Sequence, residues 1–474
     1  MSVRQGFKIL LSSGSGKAGV ILLLTLVLTS IFVLVRLPLD FGNQRWNNPA
    51  EWADNPKSVA PEWMRLFGGN DSVRHKRFRA PELTAAEAGG SGHTFTYDYD
   101  SSQAPTFISF SVSDVRFHGD PPVLLVDVLR PDGRELRLLQ TVVRGARSGE
   151  TSPITRYGET PLRVLLSANQ DTLSSAVEFL RREFQVDVTT RELQGNLEEM
   201  LFGTPDPERV NRYIPLAGQY RFTVRALVRD PADSVGEVKL VVAGTHYGVI
   251  GTDGLGRDLA LGLLFGFPVA LTIGLSTALL VTIIGTFFGI LSGYMAGKTD
   301  TIIQRFADVW SNIPLLPILI FLIFILGQKL WLVVVILIVF GWPGLTIVVR
   351  SMVLQIRTGQ LVEATQALGA SRRRIMFRHI LFQISPFVFA QMIFFTPAAI
   401  LAEAGLSFLG LGDPSIPTWG QILESSFRTG AVFLGYWWWI LPPGLLIVIT
   451  AMTFVFLTLG LEPVLNPRLR SGGR

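Results

Sequence analysis

The sequence contains no cysteine. That excludes disulfides, iron–sulfur clusters and thiol catalysis. Its five histidines are scattered. There is no His-x-x-x-His pair, no carboxylate cluster at metal-ligand spacing and no Gly-x-Ser-x-Gly elbow, so no metal centre and no catalytic site are expected. A complete phosphate-binding loop is also missing. The nearest stretch, Ser13-Gly14-Ser15-Gly16-Lys17-Ala18, misplaces the first glycine and carries Ala18 where Ser or Thr would meet magnesium. No strand precedes it, and an apolar run follows. Nucleotide chemistry is therefore expected on another chain, and no cofactor on this one. Nor is there a large excess of one charge. The net charge is +5, and the basic residues sit beside apolar runs, where they orient membrane spans; nucleic acid is not an expected partner.

What the chain does have is apolar length. Of its 474 residues, 48% are apolar, and the mean hydropathy is +0.39. A bilayer takes about 20 mostly apolar residues to cross. Six runs qualify: about 18–38, 265–296, 306–327, 330–350, 386–410 and 437–460. The first follows Arg4, Lys8 and Lys17. A cleaved signal peptide is the competing reading there, but no small-x-small cleavage site precedes Arg36 and the run is long for one, so an uncleaved span is expected.

The positive-inside rule orients the spans. It places both termini, 297–305 and 351–385 in the cytoplasm, and 39–264, 328–329 and 411–436 outside. Lys298, Arg305, Arg350, Arg357, Arg372 to Arg374, Arg378, Arg468, Arg470 and Arg474 all fall inside; the short outside loops hold only Lys329 and Arg428. A multi-pass protein of the plasma membrane results, with membrane lipid as a partner.

Between spans 1 and 2 lies a long polar segment that reads as a folded module. Strand-like stretches include His93–Tyr99, Thr106–Phe117, Val123–Leu129, Leu136–Val143 and Leu162–Leu166. Gly218–Arg229 and Gly236–Val242 read as two strands joined by the turn sequence Asp230-Pro231-Ala232-Asp233. Asp171–Phe184 has apolar residues at helical spacing, and a second short helix fits 191–202. The expectation is a β-rich, sandwich-like domain over 39–250 with one or two helices. Asn47 to Asn70, rich in Trp, Pro and Asn, is harder to read.

Span 2 carries Gly285, Gly289, Gly293 and Gly297, a stripe that would admit a close neighbouring helix. Asp308 and Glu403 are acids in or near spans, expected to line a path, gate it or pair structurally. Pro314, Pro317 and Pro397 are kink candidates, tolerated where helices pack or line a cavity.

In the loop 351–385, Leu361, Ala364 and Leu368, then Ile375, Met376 and Ile380, form two short apolar stripes. Gly369 lies between them, where a turn favours a residue without a Cβ. Glu363 and Arg372 to Arg374 are charges available to a soluble partner. An interfacial amphipathic helix fits the same spacing equally well.

A family resemblance separates these readings. Glu363-Ala364 with Gly369-Ala370, then Ile375, His379 and Leu381, resembles the signature loop of ABC importer permeases. Gly251-Thr252-Asp253-Gly254-Leu255-Gly256-Arg257-Asp258 resembles the motif before span 2 in the second permease of dipeptide/oligopeptide ABC importers. Ala402-Glu403-Ala404-Gly405-Leu406-Ser407-Phe408-Leu409-Gly410-Leu411-Gly412 resembles its fifth-span motif, and Pro417-Thr418-Trp419-Gly420 and Asn466-Pro467-Arg468-Leu469 match as well. The resemblance covers about 246–470 and the position of span 1. His379-Ile380-Leu381-Phe382 departs from the usual His-x-Leu-Pro, and the large outside insertion has no counterpart in common members.

The resemblance implies a six-helix permease over 251–474 that forms a path with a homologous second permease. It implies two ABC ATPase subunits that carry ATP and magnesium, and an extracytoplasmic binding protein. Dipeptides or oligopeptides are the implied cargo, with oligosaccharides or nickel as alternatives. Glu363 and Gly369 become ATPase-coupling residues, with Ala364 and Ala370 packing in the ATPase cleft beside Arg372 and Arg373. A membrane-anchored sensor would need an effector domain, a membrane enzyme would need clustered catalytic groups, and a passive channel would not need the loop.

Overall fold

The structure, a computed structural model, describes residues 10–67, 72–80, 83–84, 91–209 and 211–465. Arg4, Lys8 and the tail motif Asn466-Pro467-Arg468-Leu469, with Arg470 and Arg474, lie outside the described residues. Contacts divide the chain into Met1–Asn48 with Leu259–Arg474, and Pro49–Asp258. Residues 39–48, expected in the outside domain, belong to the first unit. There Phe41 meets Phe265 at 5.1 Å between ring centroids, and the indole of Trp46 covers Gly262.

Among the described residues of the membrane unit, five helices are long and apolar enough to span a bilayer, or six if a bent pair counts as one. They are span 1 (Gly14–Arg36), span 2 (Leu259–Met295), the bent span 3 (Gly297–Ser311 and Leu315–Leu326), span 4 (Leu330–Ile356), span 5 (Leu381–Phe408) and span 6 (Trp437–Leu465). At 1.5 Å per residue span 2 is about 55 Å long, more than a hydrocarbon core of about 30 Å requires.

The continuous span expected over 306–327 is instead broken, its halves bent by 78°. Pro314 sits at the break in an extended conformation, just ahead of the second half. It offers no N–H and disfavours helix at Ile313 before it. It therefore marks a helix start, not a kink. The first half is held along span 4, where Trp310 Nε1 donates to the Val339 carbonyl (2.7 Å) and Phe306 stacks on Trp342.

Three of the four stripe glycines meet span 4. A Cβ on Gly285, Gly289 or Gly293 would stand 2.9, 2.6 or 2.8 Å from the Cβ of Leu345, Val349 or Val353, closer than van der Waals contact permits. Gly297 does not belong to the stripe. The helix ends at Met295, and Gly297 opens the next helix at φ +57 with nothing near its missing side chain. Its four-residue spacing continues a helical period past the end of the helix.

The unmatched phosphate-loop sequence has a structural explanation. Ser13 caps span 1, its hydroxyl accepting from Gly16 N–H (3.0 Å). Gly19 lets span 6 approach, since a Cβ there would lie 2.8 Å from the Leu457 nitrogen.

In the Pro49–Asp258 unit three antiparallel four-stranded sheets share one core, two of them with the longer strands. One runs Lys76–Ala80, Val238–Ala243, Phe107–Val112, Leu162–Leu165; the other runs Ser91–Tyr99, Gly218–Leu227, Val123–Leu129, Glu135–Val142. Along Gly218–Leu227, Tyr220, Phe222, Val224 and Ala226 are buried while Gln219, Arg221 and Leu227 are exposed, the two-residue period of a strand with one covered face. The helix Gln170–Phe184 buries Leu173, Ala176, Phe179 and Leu180 in the same core.

Two expectations change. Thr106–Phe117 is not one strand: it breaks at Asp114 (φ 51), and Val115–Phe117 joins a separate small sheet. The strand read over Gly236–Val242 is Val238–Ala243, in a different sheet from Gly218–Leu227, and Ser234–Val235 between them pairs in the small sheet.

Candidate functional site

The connection from span 4 to span 5 begins at Gly359, which precedes the helix Gln360–Ala367. The C-terminus of that helix closes on itself. Gly369 N–H donates to the Gln366 carbonyl (2.9 Å) and Ala370 N–H to the Thr365 carbonyl (3.2 Å). That pair of bonds requires a left-handed residue after the cap, and Gly369 supplies it at φ +78. Ser371 then caps Arg372–Arg374, and a wide turn over Ile375–Ile380 runs straight into span 5.

One side of this segment is anchored. Val362, Ile375, Met376, Ile380 and Ile384 share a core with Ile290 of span 2 and Leu345, Val349 and Val353 of span 4. Arg357 reaches the Gly293 carbonyl (3.4 Å), and Gln366 the Tyr294 hydroxyl (3.4 Å). The other side is open. Glu363, Ala364, Gly369, Arg372 and Arg373 are exposed, Ala370 is half-buried and Leu368 is 88% exposed. All three residues of the first apolar stripe, Leu361, Ala364 and Leu368, are exposed, and Val362 takes the buried place.

The Gly251–Asp258 motif is a closed turn within its own unit. Asp253 is buried, accepts the N–H groups of Leu255 and Arg257 (2.9 Å each), and is paired with the Arg257 guanidinium (2.5 Å). Thr252 accepts from Val59 N–H (3.2 Å) and donates to the Pro56 carbonyl (2.7 Å). Asn55 donates to the Gly256 carbonyl (2.8 Å). The motif therefore locks the end of the inserted unit to its start.

Glu403 is 4% exposed and accepts from the Ser407 hydroxyl, one helical turn on, at 2.7 Å. Gly420 packs on this turn, where a Cβ would lie 2.6 Å from the Ala404 carbonyl oxygen. Trp419 Nε1 donates to the Leu263 carbonyl of span 2 (2.9 Å). The fifth-span and Pro417–Gly420 motifs thus join spans 2 and 5, and this surrounding packing favours the structural reading of Glu403. Asp308 and Pro314 are exposed on the halves of span 3.

One constellation is invisible to local spacing. Asp300 forms a two-point ion pair with Arg350 (2.6 Å each) and accepts from the Ser292 hydroxyl (2.5 Å), which also accepts from Gln304 (3.0 Å). Spans 2, 3 and 4 meet there, beside the anchored loop. An acid a few residues past the end of span 2, with an arginine inside span 4, is the only sequence signal, and 50 residues separate the pair. The fold also gathers His118, Asp230 and Asp233 with possible ligand atoms within 4.8 Å of one another, which spacing did not anticipate. Asp233 there accepts from the backbone N–H of His118 (2.8 Å) and shares a hydrogen bond with its ring, so the group is occupied in holding the turn.

Residues 285–471 match the family described as binding-protein-dependent transport system inner membrane component. The dipeptide transport system permease protein DppC of Bacillus subtilis (strain 168) is 35% identical over 238 residues, which are 50% of this chain and 73% of that protein. The oligopeptide transport system permease protein OppC of Haemophilus influenzae is 33% identical over 228 residues, 48% of this chain and 72% of that protein. Among solved structures, an inward-facing MetNI methionine ABC transporter is similar at 20% identity and a TM-score of 0.36, covering 44% of this chain and 96% of that one.

Proposed function

Because the chain belongs to the dipeptide/oligopeptide ABC permease family, of the second-permease type, we propose that it forms the path of a peptide importer together with a homologous second permease. It is a multi-pass inner-membrane component of a binding-protein-dependent transport system and not itself an enzyme. Two separate ABC ATPase subunits supply hydrolysis, and an extracytoplasmic binding protein delivers the cargo. The termini and the 357–380 connection face the cytoplasm, because Arg357, Arg372 to Arg374 and Arg378 cluster there. The inserted unit is outside.

The observation that carries this reading is the Gln360–Ala367 helix: capped by Gly369, open on one side, and packed on the other against spans 2 and 4. An ATPase cleft that closes on Glu363, Ala364 and Leu368 moves Val362 with them, and so moves the spans. Coupling requires the ATP-bound and free states to contact this face differently. Ala370, Arg372 and Arg373 extend the contact, and the Asp300–Arg350 pair holds the receiving ends of the spans together. Asp308 and Pro314 mark the broken span as a path or gate element.

Gly369→Val tests the reading. Valine is disfavoured at a left-handed φ, so the cap opens while the spans are untouched. In a strain lacking its own peptide importers, the variant should insert in the membrane normally and lose uptake of a labelled tripeptide. Full uptake would overturn the coupling role. Tripeptide exclusion by the unaltered importer, with uptake of nickel or an oligosaccharide, would reassign the cargo.

The inserted unit is the docking or shielding surface for the binding protein, a role that its place in the chain between spans 1 and 2 suggests. Residues 62–243 can be replaced by a short linker while the Asn55, Thr252 and Asp253 bonds remain in the chain. Docking should weaken; unchanged docking would leave the unit a structural role alone.

A further inference from the structure

The inserted unit contains a cleft of about 490 Å³, within the ~300–1,000 Å³ range of small-molecule sites. Three elements build it. The short helix Leu197–Leu201 brings Glu198 and Glu199, the paired strands Gly203–Pro205 and Tyr213–Pro215 bring Tyr213 with Arg212 beside it, and the Ser91–Tyr99 strand ends in Tyr99. Phe202 lies between them, its ring 4.8 Å from that of Tyr99.

The walls are fixed. Arg130, fully buried, donates to the Met200 carbonyl (3.0 Å) and the Gly203 carbonyl (2.7 Å), tying the helix to the strand pair. Leu216 N–H donates to the Phe202 carbonyl (2.8 Å), and the Tyr99 hydroxyl to the Gln103 carbonyl (2.9 Å).

The chemistry inside is two-sided. Glu198 is only 7% exposed, and its Oε1 has no hydrogen-bond partner among the described residues. A buried carboxyl oxygen left without a donor costs about 1–3 kcal/mol. Burial also pushes this carboxyl above the ordinary range, against hydrogen bonds from Ser167 and the Ile108 backbone. Glu199 is exposed at the rim, where its charge contributes to raising the hydroxyls of Tyr99 and Tyr213, after burial. Arg212 brings the opposite charge, exposed and without a charged partner among the described residues. An acid pair, aromatic faces and an arginine fork are complementary to an ammonium, an apolar body and a carboxylate in one molecule.

We propose that this cleft binds a small zwitterion with both ends free, a short peptide or an amino acid. Its ammonium sits at Glu198 and Glu199, its carboxylate at Arg212, and its body against Tyr99, Phe202 and Tyr213. The site is additional to the transport path and does not depend on the coupling reading.

The test uses the full chain in nanodiscs and titration calorimetry with trialanine, alanine, N-acetyl-trialanine and trialanine amide. Trialanine should bind, and blocking either end should weaken it by roughly tenfold or more, the value of one charge-assisted bond. Tighter binding of trialanine than of alanine assigns the site to peptides, and the reverse assigns it to amino acids. Arg212→Ala and Glu199→Gln, both at exposed positions, should each reproduce the loss with unchanged thermal unfolding. Any trialanine binding by the spans persists in these variants, which separates the two sites. No binding of trialanine or alanine up to about 10 mM, or equal binding of blocked and free ends, overturns the proposal, as does wild-type affinity in the Arg212→Ala, Glu199→Gln double variant. Tripeptide uptake is measured separately, so failure here leaves the importer reading standing.

Discussion

In the Pro49–Asp258 unit the fully buried side chains are large: Phe110, Phe117, Phe179, Tyr220 and Phe222 fill the space between the sheets, and arginines such as Arg181 and Arg229 face out. In the membrane unit close helix contacts are made by glycines 285, 289 and 293, while Leu28, Phe324 (90% exposed) and Phe389 are uncovered. The difference is one of solvent. In water, removing large apolar surface drives the packing. Lipid is as apolar as leucine, so helices there associate through close fit, which small residues permit. One chain thus follows two opposite rules for what belongs inside.

Four variants press on that contrast. Arg130→Ala, at the polar exception within the aromatic core, should have the largest effect. It strands the Met200 and Gly203 carbonyls and removes the guanidinium from the Phe179 and Phe184 rings. The inserted unit should lose about 3–5 kcal/mol, read as an earlier thermal transition for this unit, with span helicity retained.

Gly289→Leu should come next, at about 1–3 kcal/mol or more, because even its Cβ would overlap Val349. Gly297→Ala is the control: it has open space but a left-handed φ, so it should cost only about 1 kcal/mol. Detergent stability of the purified chain ranks the two. Equal losses would remove the close-packing argument.

His75 gives an effect that is absent at neutral pH and appears only as pH falls. Burial, then the Arg77 charge, lowers its pKa from 6.5 to about 4. Its Nε2 accepts from Arg77 Nε (3.0 Å), which protonation would prevent. A depressed folded pKa means that the unfolded chain binds the proton first. The stability that neutral His75 contributes is therefore complete above pH 6.5 and declines as pH falls from 6.5 towards 4. In a His75→Asn variant the unfolding temperature of the inserted unit should fall less across that window. An unchanged slope would show that other groups set it.

Much of this was legible locally. The apolar runs announced the spans because bilayer thickness sets a length that any single helix must meet. Val123–Leu129 and Gln170–Phe184 were recovered nearly residue for residue, since strand and helix periods are written in adjacent side chains. Gly369 could be read as a turn because only a few residues tolerate its backbone conformation.

Other features required the folded chain. Gly297 continues a period yet lies beyond its helix, because the period does not say where Ala296 turns. Leu361, Ala364 and Leu368 form the apolar stripe of the sequence, but the neighbouring spans meet Val362. Residues 39–48 read as the start of the outside domain, and it is Phe265 and Gly262 that draw them to the membrane unit.

Composition, periodicity and motif were enough to determine a membrane permease with a β-rich insertion, since hydration, helical repeat and backbone strain act over a few residues. Tertiary structure alone decided which sheet Gly218–Leu227 entered, which arginine answered Asp300, and how Glu198, Tyr99 and Arg212 came to share a cleft. Those choices depend on shape and desolvation between segments tens of residues apart, and no local pattern encodes them.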